Sequence, residues 1–206
     1  VTDRKSLGGG EGGEGVLGKI RAATAAGVDW VQIREKDLSG RELLELVQEA
    51  IAGRGVARVI VNDRLDVALA AGAAGVHLGG ESLGARDVVR WCRSRNAPAE
   101  FLVGVSCHSL EDAREAERAG ASYIFFGPVF DTPSKRGMGE PQSVAQLGEI
   151  CRSVKIPVVA IGGVSERNAG ECICAGAAGI AAIRMFQEAR DAGAMKDLIE
   201  RLRALS

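Results

Sequence analysis

Ala119-Gly120-Ala121-Ser122-Tyr123-Ile124-Phe125-Phe126-Gly127-Pro128 holds a helix stop, a tight turn, a strand and a strand stop in one short run. A glycine ends a helix in a left-handed cap, and small neighbours let the chain turn directly into the next element. The aromatic and β-branched run Tyr123–Phe126 reads as a buried strand, which Gly127-Pro128 ends. The same unit recurs at Ala26-Gly27-Val28-Asp29, Ala71-Gly72-Ala73-Ala74 and Ala175-Gly176-Ala177-Ala178, each time ahead of a β-rich run.

Outward from these units, β-rich and helical segments alternate from end to end, the pattern of a parallel α/β fold. The expected strands are 1–3 (truncated), 30–34, 58–61, 75–78, 102–106, 123–127, 157–161 and 179–183. The expected helices are 17–26, 39–51, 65–71, 84–93, 110–119, 144–151, 168–175 and 194–205. Ser39-Gly-Arg-Glu42 and Ser109-Leu-Glu-Asp112 have capping-box spacing and mark helix starts soon after strand ends. This count predicts one (β/α)₈ TIM barrel with parallel strands over residues 1–206, with an open doubly wound sheet as its competitor. Gly8–Gly15, rich in Gly and Glu, reads as a flexible loop: it lacks the Lys-Ser/Thr ending of a P-loop, and its glutamates would repel phosphate.

The 206 residues suffice for one domain with a substantial core. With Lys+Arg 26 against Asp+Glu 27, no global charge directs the chain to nucleic acid or to a membrane surface. No apolar run approaches the roughly 20 residues of a membrane span. No secretory signal is visible, and the start at Val1 reads as the loss of a few residues. The five cysteines (Cys92, Cys107, Cys151, Cys172, Cys174) are irregularly spaced, which speaks against a disulfide framework and for a reducing, cytoplasmic setting. Cys172-Ile-Cys174 has no second Cys/His cluster and reads as buried small hydrophobes rather than a metal site.

In a barrel the loops at the strands' carboxyl ends assemble the active site. Past Gly127-Pro128 come Thr132, Ser134 and Lys135, hydroxyls and an ammonium that suit a phosphate monoester; a polar surface loop is the alternative. Alternation along Val31-Gln32-Ile33-Arg34-Glu35-Lys36 puts Gln32, Arg34 and Lys36 on one side and Val31 and Ile33 toward the outer helices. That amide, guanidinium and ammonium suit a diphosphate, unless the strand end is merely solvated. Asn62-Asp63 fits either a helix cap or a carboxylate for Mg²⁺. His77 is either an acid–base group or, as its apolar neighbours favour, a packed core residue. Ser106 can bond substrate, but nothing pairs it or Cys107 with a base, so nucleophilic catalysis has no support. Gly162-Gly163 lets backbone N–H groups approach a ligand and, with Arg184 after the last strand, fits the phosphate cradle of such barrels.

These termini, in this order, resemble the thiamine phosphate synthase and thiazole tautomerase superfamily, and more closely the synthases. The resemblance runs through Thr2-Asp3, Gln32–Lys36, Asn62–Arg64, Gly75–Gly79, Gly104–Ser106, Gly127–Phe130, Thr132–Lys135 and Val159–Gly163. It implies a cytoplasmic transferase of thiamine biosynthesis that joins hydroxymethylpyrimidine diphosphate to thiazole phosphate and releases pyrophosphate. The partners implied are phosphorylated small molecules; the oligomeric state stays open, a homodimer included. Residue by residue, it implies that Gln32, Arg34, Lys36 and Asn62 hold the pyrimidine diphosphate, Asp63 binds Mg²⁺ and Ser106 meets the pyrimidine. Thr132, Ser134 and Lys135 would serve the thiazole phosphate and the leaving diphosphate. Gly162, Gly163 and the Ile183-Arg184 backbone would complete the phosphate cup. Lys135, Arg34, Lys36 and Ser106 are the implied catalytic residues.

Two departures qualify the resemblance. Ser82 stands where the family's second Mg²⁺ carboxylate belongs, with Glu81 as a substitute, and Arg184 stands where a small residue is usual. A weakened metal site fits a thiazole tautomerase or a non-catalytic thiazole-phosphate binder. Pro128, where tautomerases carry a histidine, and the intact Gln-x-Arg-x-Lys series favour the synthase.

Overall fold

The computed structural model describes residues 1–7, 15–53, 55–132 and 141–205. They group into two units, Val1–His77 with Ile183–Ala204, and Leu78–Ala182.

In the first unit, β1 (Trp30–Ile33), β2 (Arg58–Asn62) and β3 (Gly75–Leu78) pair in parallel and in chain order, Gln32 opposite Ile60 and Asn62 opposite His77. Helices α1 (Val16–Ala25), α2 (Gly40–Ala52), α3 (Leu65–Ala70), α8 (Arg184–Gln187) and α9 (Ala192–Arg203) belong to it. Ser39 caps α2 in a reciprocal capping box with Glu42, and Leu43, Val47 and Ala50 form the buried stripe. Thr2 N–H donates to Gln32 O at 2.9 Å, but Val1–Asp3 is not the strand expected of it: Arg4 N–H turns to the Glu35 carboxylate and a 3₁₀ helix begins at Arg4.

The second unit carries β4 (Leu102–Cys107), β5 (Tyr123–Phe126), β6 (Val158–Ile161) and β7 (Gly179–Ala181), again parallel and in chain order. Its helices are α4 (Ala85–Trp91), α5 (Leu110–Ala119), α6 (Val144–Ser153) and α7 (Ala169–Cys174); Cys92–Asn96 forms a π-helical turn behind α4. Ser109 accepts from Asp112 N–H, while the Asp112 carboxylate accepts from His108 N–H rather than from the cap residue itself. Ser143 and Gln146 form a capping box for α6 that sequence reading did not mark.

The Ala-Gly units do what their composition dictates. Gly27, Gly72, Gly120 and Gly176 all have positive φ, and a strand starts three residues after each. In three of them the residue two past the glycine donates to the preceding strand: Ala74 N–H to Val59 O, Ser122 N–H to Val103 O and Ala178 N–H to Val158 O. In these three units the turn that closes a helix therefore also sets the register of the next strand.

Candidate active site

Registered residues of a parallel ladder share a face, so Gln32, Asn62 and His77 lie on one face of the first unit's sheet. The opposite face carries Ile33, Val59, Val61 and Val76, each nearly free of solvent. Gln32 Nε2 donates to Asn62 Oδ1 at 2.9 Å, and Asn62 Nδ2 donates to Asp63 Oδ2 at 2.6 Å. Gln32 is 6% exposed, and its Oε1 has no hydrogen-bond partner among the described residues. A buried orphan acceptor costs about 1–3 kcal/mol and marks a place where a ligand donor is welcome.

Asp63 has φ 61°, the single positive value at a non-glycine residue among those described. The N-cap of α3 is Arg64, with no side-chain cap bond, so capping does not account for Asn62-Asp63. Asp63 thus holds an uncommon left-handed backbone just past the end of β2, with its carboxylate bonded to Asn62. His77 is 1% exposed, and burial pulls its pKa down to about 3 against the opposing pull of Asp63, so the ring is neutral and packed rather than an acid–base catalyst at neutral pH. Arg34 follows the end of β1 half-buried and Lys36 is exposed. Between them Glu35 is 5% exposed and takes the Arg4 N–H on both carboxylate oxygens at 3.1 Å. Sequence reading assigned Glu35 nothing; its place between the two candidate diphosphate cations was the available signal.

After β7 the expected strand end at Ile183-Arg184 is not found. β7 stops at Ala181, Ile183 is the N-cap of α8, and Arg184 is the first, exposed residue of that helix.

In the second unit, Ser106 lies half-buried in β4 opposite Phe125. Its neighbour Cys107 is fully buried, and desolvation, with Asp112 adding to it, pushes the thiol up to about 12, so Cys107 is not a nucleophile. A side-chain carbon at Gly104 would fall 2.1 Å from Tyr123 Cζ, so the glycine leaves room for that buried ring. The His108 ring Nδ1 is hydrogen-bonded to Gly127 O, joining the loops that follow β4 and β5.

The loop after β5 runs beside the end of β6: Val129 N–H donates to Ile161 O and Phe130 N–H to Gly162 O, both at 3.0 Å. Gly162 (φ 88°) and Gly163 (φ 67°) are required there, since a side-chain carbon would come within 2.5 Å of Pro128 and 2.6 Å of Asp131 O. The place a side chain would take at either glycine is thus occupied by this loop. Asn168 Nδ2 holds Gly163 O at 3.1 Å. Thr132 is 8% exposed, while Ser134 and Lys135 lie outside the described residues, as do residues 8–14 of the glycine-rich stretch. Ser82 Oγ accepts from Gly79 N–H at 2.6 Å, which gives the hydroxyl a turn-forming role, and Glu81 is exposed.

Residues 1–186 match the family model described as thiamine monophosphate synthase. The chain belongs to the thiamine monophosphate synthase family. The thiamine-phosphate synthase of Moorella thermoacetica is 40% identical over 199 residues, 93% of this chain and 92% of that protein. The thiamine-phosphate synthase of Methanoculleus marisnigri is 43% identical over 166 residues, 79% of this chain and 76% of that protein. The solved structure of thiamine phosphate pyrophosphorylase from Pyrococcus furiosus superposes with a TM-score of 0.85 at 34% identity, over 99% of this chain and 94% of that one. The fold class is accordingly the α/β barrel with parallel strands, not the open doubly wound sheet, although Val1–Asp3 leaves seven strands among the described residues.

For a family member the donor set is sparse in carboxylates: no group of three or more His, Cys, Asp or Glu fit to hold a metal occurs among the described residues. That still suits Mg²⁺, which keeps most of its waters and is commonly held by one or two carboxylates plus substrate phosphates. Asp63, just past the end of β2, is a carboxylate that could serve as such a ligand. All five cysteines are free, and no helix among the described residues is long and apolar enough to cross a membrane.

Proposed function

We propose that the chain is a thiamine-phosphate synthase, coupling hydroxymethylpyrimidine diphosphate to thiazole phosphate with release of pyrophosphate. The observation that carries the reading is the family match over residues 1–186 together with the Gln32–Asn62–Asp63 chain.

The reaction breaks the bond between the pyrimidine methylene carbon and a diphosphate oxygen, and forms a bond from that carbon to the thiazole nitrogen. Diphosphate leaves with the electron pair, and a pyrimidine-stabilised cation is captured. No nucleophile or strong base is needed, which agrees with a neutral His77 and a protonated Cys107. Charge stabilisation of the leaving group and fixed placement of the two substrates are what the protein must supply.

Arg34 and Lys36 neutralise the diphosphate, and Asn62 and Gln32 hold the pyrimidine diphosphate. The Gln32 Oε1 orphan meets a donor on the heterocycle, and Ser106 contacts the ring. Thr132, Ser134 and Lys135, with Gly162, Gly163 and the Ile183-Arg184 backbone, serve the thiazole phosphate and the departing diphosphate. Asp63 holds Mg²⁺, which when bound adds positive charge at the diphosphate oxygens. The backbone strain at Asp63 and the absence of capping at α3 support that role. A cytoplasmic enzyme that folds as one domain over 1–206 completes the reading.

The test is to incubate the purified protein with both substrates and Mg²⁺ and to assay thiamine phosphate and pyrophosphate. Product that requires the pyrimidine diphosphate establishes the synthase. Thiazole isomerisation without the pyrimidine would instead establish a tautomerase. Binding of thiazole phosphate with no turnover would establish a sensor.

A further inference from the structure

Beyond β1 the chain loses its partner strand, because the ladder to β2 ends at Ile33 opposite Val61. Arg34 and Lys36 nevertheless have to stay on the face of Gln32 if they are to meet one diphosphate. A strand end without a ladder is free to twist, and a one-residue rotation would carry both cations to the wrong side.

The segment Thr2–Arg4 supplies the missing support. Thr2 N–H donates to Gln32 O at 2.9 Å, and Arg34 N–H donates to Thr2 Oγ1 at 3.0 Å. One step on, Glu35 folds inward: its side chain is 2% exposed, both oxygens take the Arg4 N–H at 3.1 Å, and Arg4 Nε lies 3.8 Å away. Arg4 Nη2 is bonded to Asp37 Oδ2 at 2.6 Å and Lys5 Nζ lies 3.3 Å from the same oxygen, which anchors the turn that follows Lys36. Ser6 and Asp3 O are in turn bonded to Gln187 of α8, so the 3₁₀ turn that carries Arg4 is held from behind.

A buried carboxylate is costly unless paired, and this one is paired with a main-chain N–H whose position does not depend on a flexible side chain. Its place is informative: Glu35 lies between Arg34 and Lys36, so fixing its carboxylate on Arg4, with Arg34 N–H fixed on Thr2, holds the main chain that carries both cations just past the end of β1. We infer that Glu35 is a positioning residue for diphosphate binding, acting through Arg34 and Lys36, with Thr2 as its partner in the same task. This inference rests on the synthase reading for the identity of the diphosphate substrate.

The test separates the two claims. Inorganic pyrophosphate with Mg²⁺ is titrated calorimetrically into the wild-type protein and into Glu35→Ala, Glu35→Gln and Thr2→Val, and steady-state coupling is measured for each. Glu35→Ala is expected to weaken pyrophosphate binding and raise KM for the pyrimidine diphosphate by roughly tenfold or more, with KM for thiazole phosphate within about twofold. Glu35→Gln, which keeps one carbonyl acceptor for the Arg4 N–H, should recover most of the loss. Thr2→Val, which keeps shape and loses only the bond from Arg34 N–H, should show the same split in weaker form and decides the matter if Glu35→Ala does not fold. Unchanged pyrophosphate affinity in Glu35→Ala or Thr2→Val overturns the inference, as does a wild-type protein that takes up no pyrophosphate. Wild-type protein that binds pyrophosphate but makes no thiamine phosphate overturns the synthase reading alone, and the calorimetric comparison still reads Glu35.

Discussion

Asn62 Nδ2 donates to Asp63 Oδ2 at 2.6 Å, and this one bond sets the polarity of two amides. An ionised carboxylate only accepts, so Asn62 must turn its NH₂ toward Asp63 and its carbonyl toward Gln32. Gln32 answers with Nε2 at 2.9 Å, which leaves its Oε1 buried and unpartnered. The acid thereby determines that the amide furthest from it presents an acceptor.

If that acceptor meets a donor on the pyrimidine, Gln32→Leu removes an orphan and a ligand contact together. Stability should change by less than about 1 kcal/mol, since the relieved orphan offsets the partner lost by Asn62. Turnover at low pyrimidine diphosphate should fall by roughly 10–100-fold, with KM for thiazole phosphate little changed. Urea denaturation and initial rates measure the two effects; an unaltered rate would mean the Oε1 atom faces no substrate.

Asp63 sits at φ 61° and pays for it in backbone strain. Glycine adopts that conformation without penalty, and alanine does not. Asp63→Gly should therefore be more stable than Asp63→Ala by about 1 kcal/mol, both lacking the carboxylate. Both should lose Mg²⁺-dependent coupling alike, by orders of magnitude. Equal stabilities would show that the left-handed backbone at 63 is not what the aspartate tolerates.

His77 offers a pH test with a fixed sign. Burial lowers its pKa from 6.5 to about 3. Below pH 6.5 the unfolded chain takes up a proton that the folded protein refuses, so the stability present above 6.5 is lost as pH falls toward 3. At pH 5 the loss is about 2 kcal/mol relative to neutral pH. His77→Gln should remove that increment, seen as a smaller shift in urea midpoint between pH 7.5 and pH 5.0. The coupling rate should show no limb assignable to His77 over the same range.

Gly163→Ala should harm the second unit on two counts. Its φ of 67° disfavours any side chain, and the added carbon would fall 2.6 Å from Asp131 O and 2.7 Å from Phe130. Both neighbours are loop backbone or close to it and have little room to yield, so a loss of about 2 kcal/mol or more is expected in thermal or urea unfolding. KM for thiazole phosphate should rise if the displaced Phe130–Thr132 segment serves that substrate. A variant of normal stability would mean the loop after β5 is not packed on Gly163.

The parts of the fold visible in the sequence were those written in local chemistry. The four Ala-Gly units required left-handed glycine, and each has it, followed three residues later by a strand. Gln32 and Asn62 could be placed on one face because alternation along paired strands dictates it, and Asp63 is the residue that follows the strand end. What was not legible depends on contacts distant in the chain. Glu35 reads as one more solvated charge until Arg4 is laid beside it. That a side-chain carbon at Gly162 or Gly163 would collide with the Pro128–Asp131 loop is likewise invisible until the loop is laid beside them. Residues 1–3 carry too little sequence to show that Arg4 turns the chain away after one ladder bond.

Ser82 gives the sharpest test of how the metal is held. Its hydroxyl accepts from Gly79 N–H at 2.6 Å, a turn bond that an aspartate at the same position can also make with one carboxylate oxygen, leaving the other for a cation. A hydroxyl is a far weaker Mg²⁺ ligand than a carboxylate. Ser82→Asp should therefore keep the turn and lower the Mg²⁺ concentration for half-maximal coupling by about tenfold, equivalent to about 1.4 kcal/mol. Ser82→Ala, which loses the turn bond and adds no charge, should leave the Mg²⁺ requirement where it is and cost about 1 kcal/mol of stability. A Mg²⁺ titration that is the same in wild type and Ser82→Asp would place residue 82 away from the metal and leave Asp63 as the carboxylate on which coupling depends.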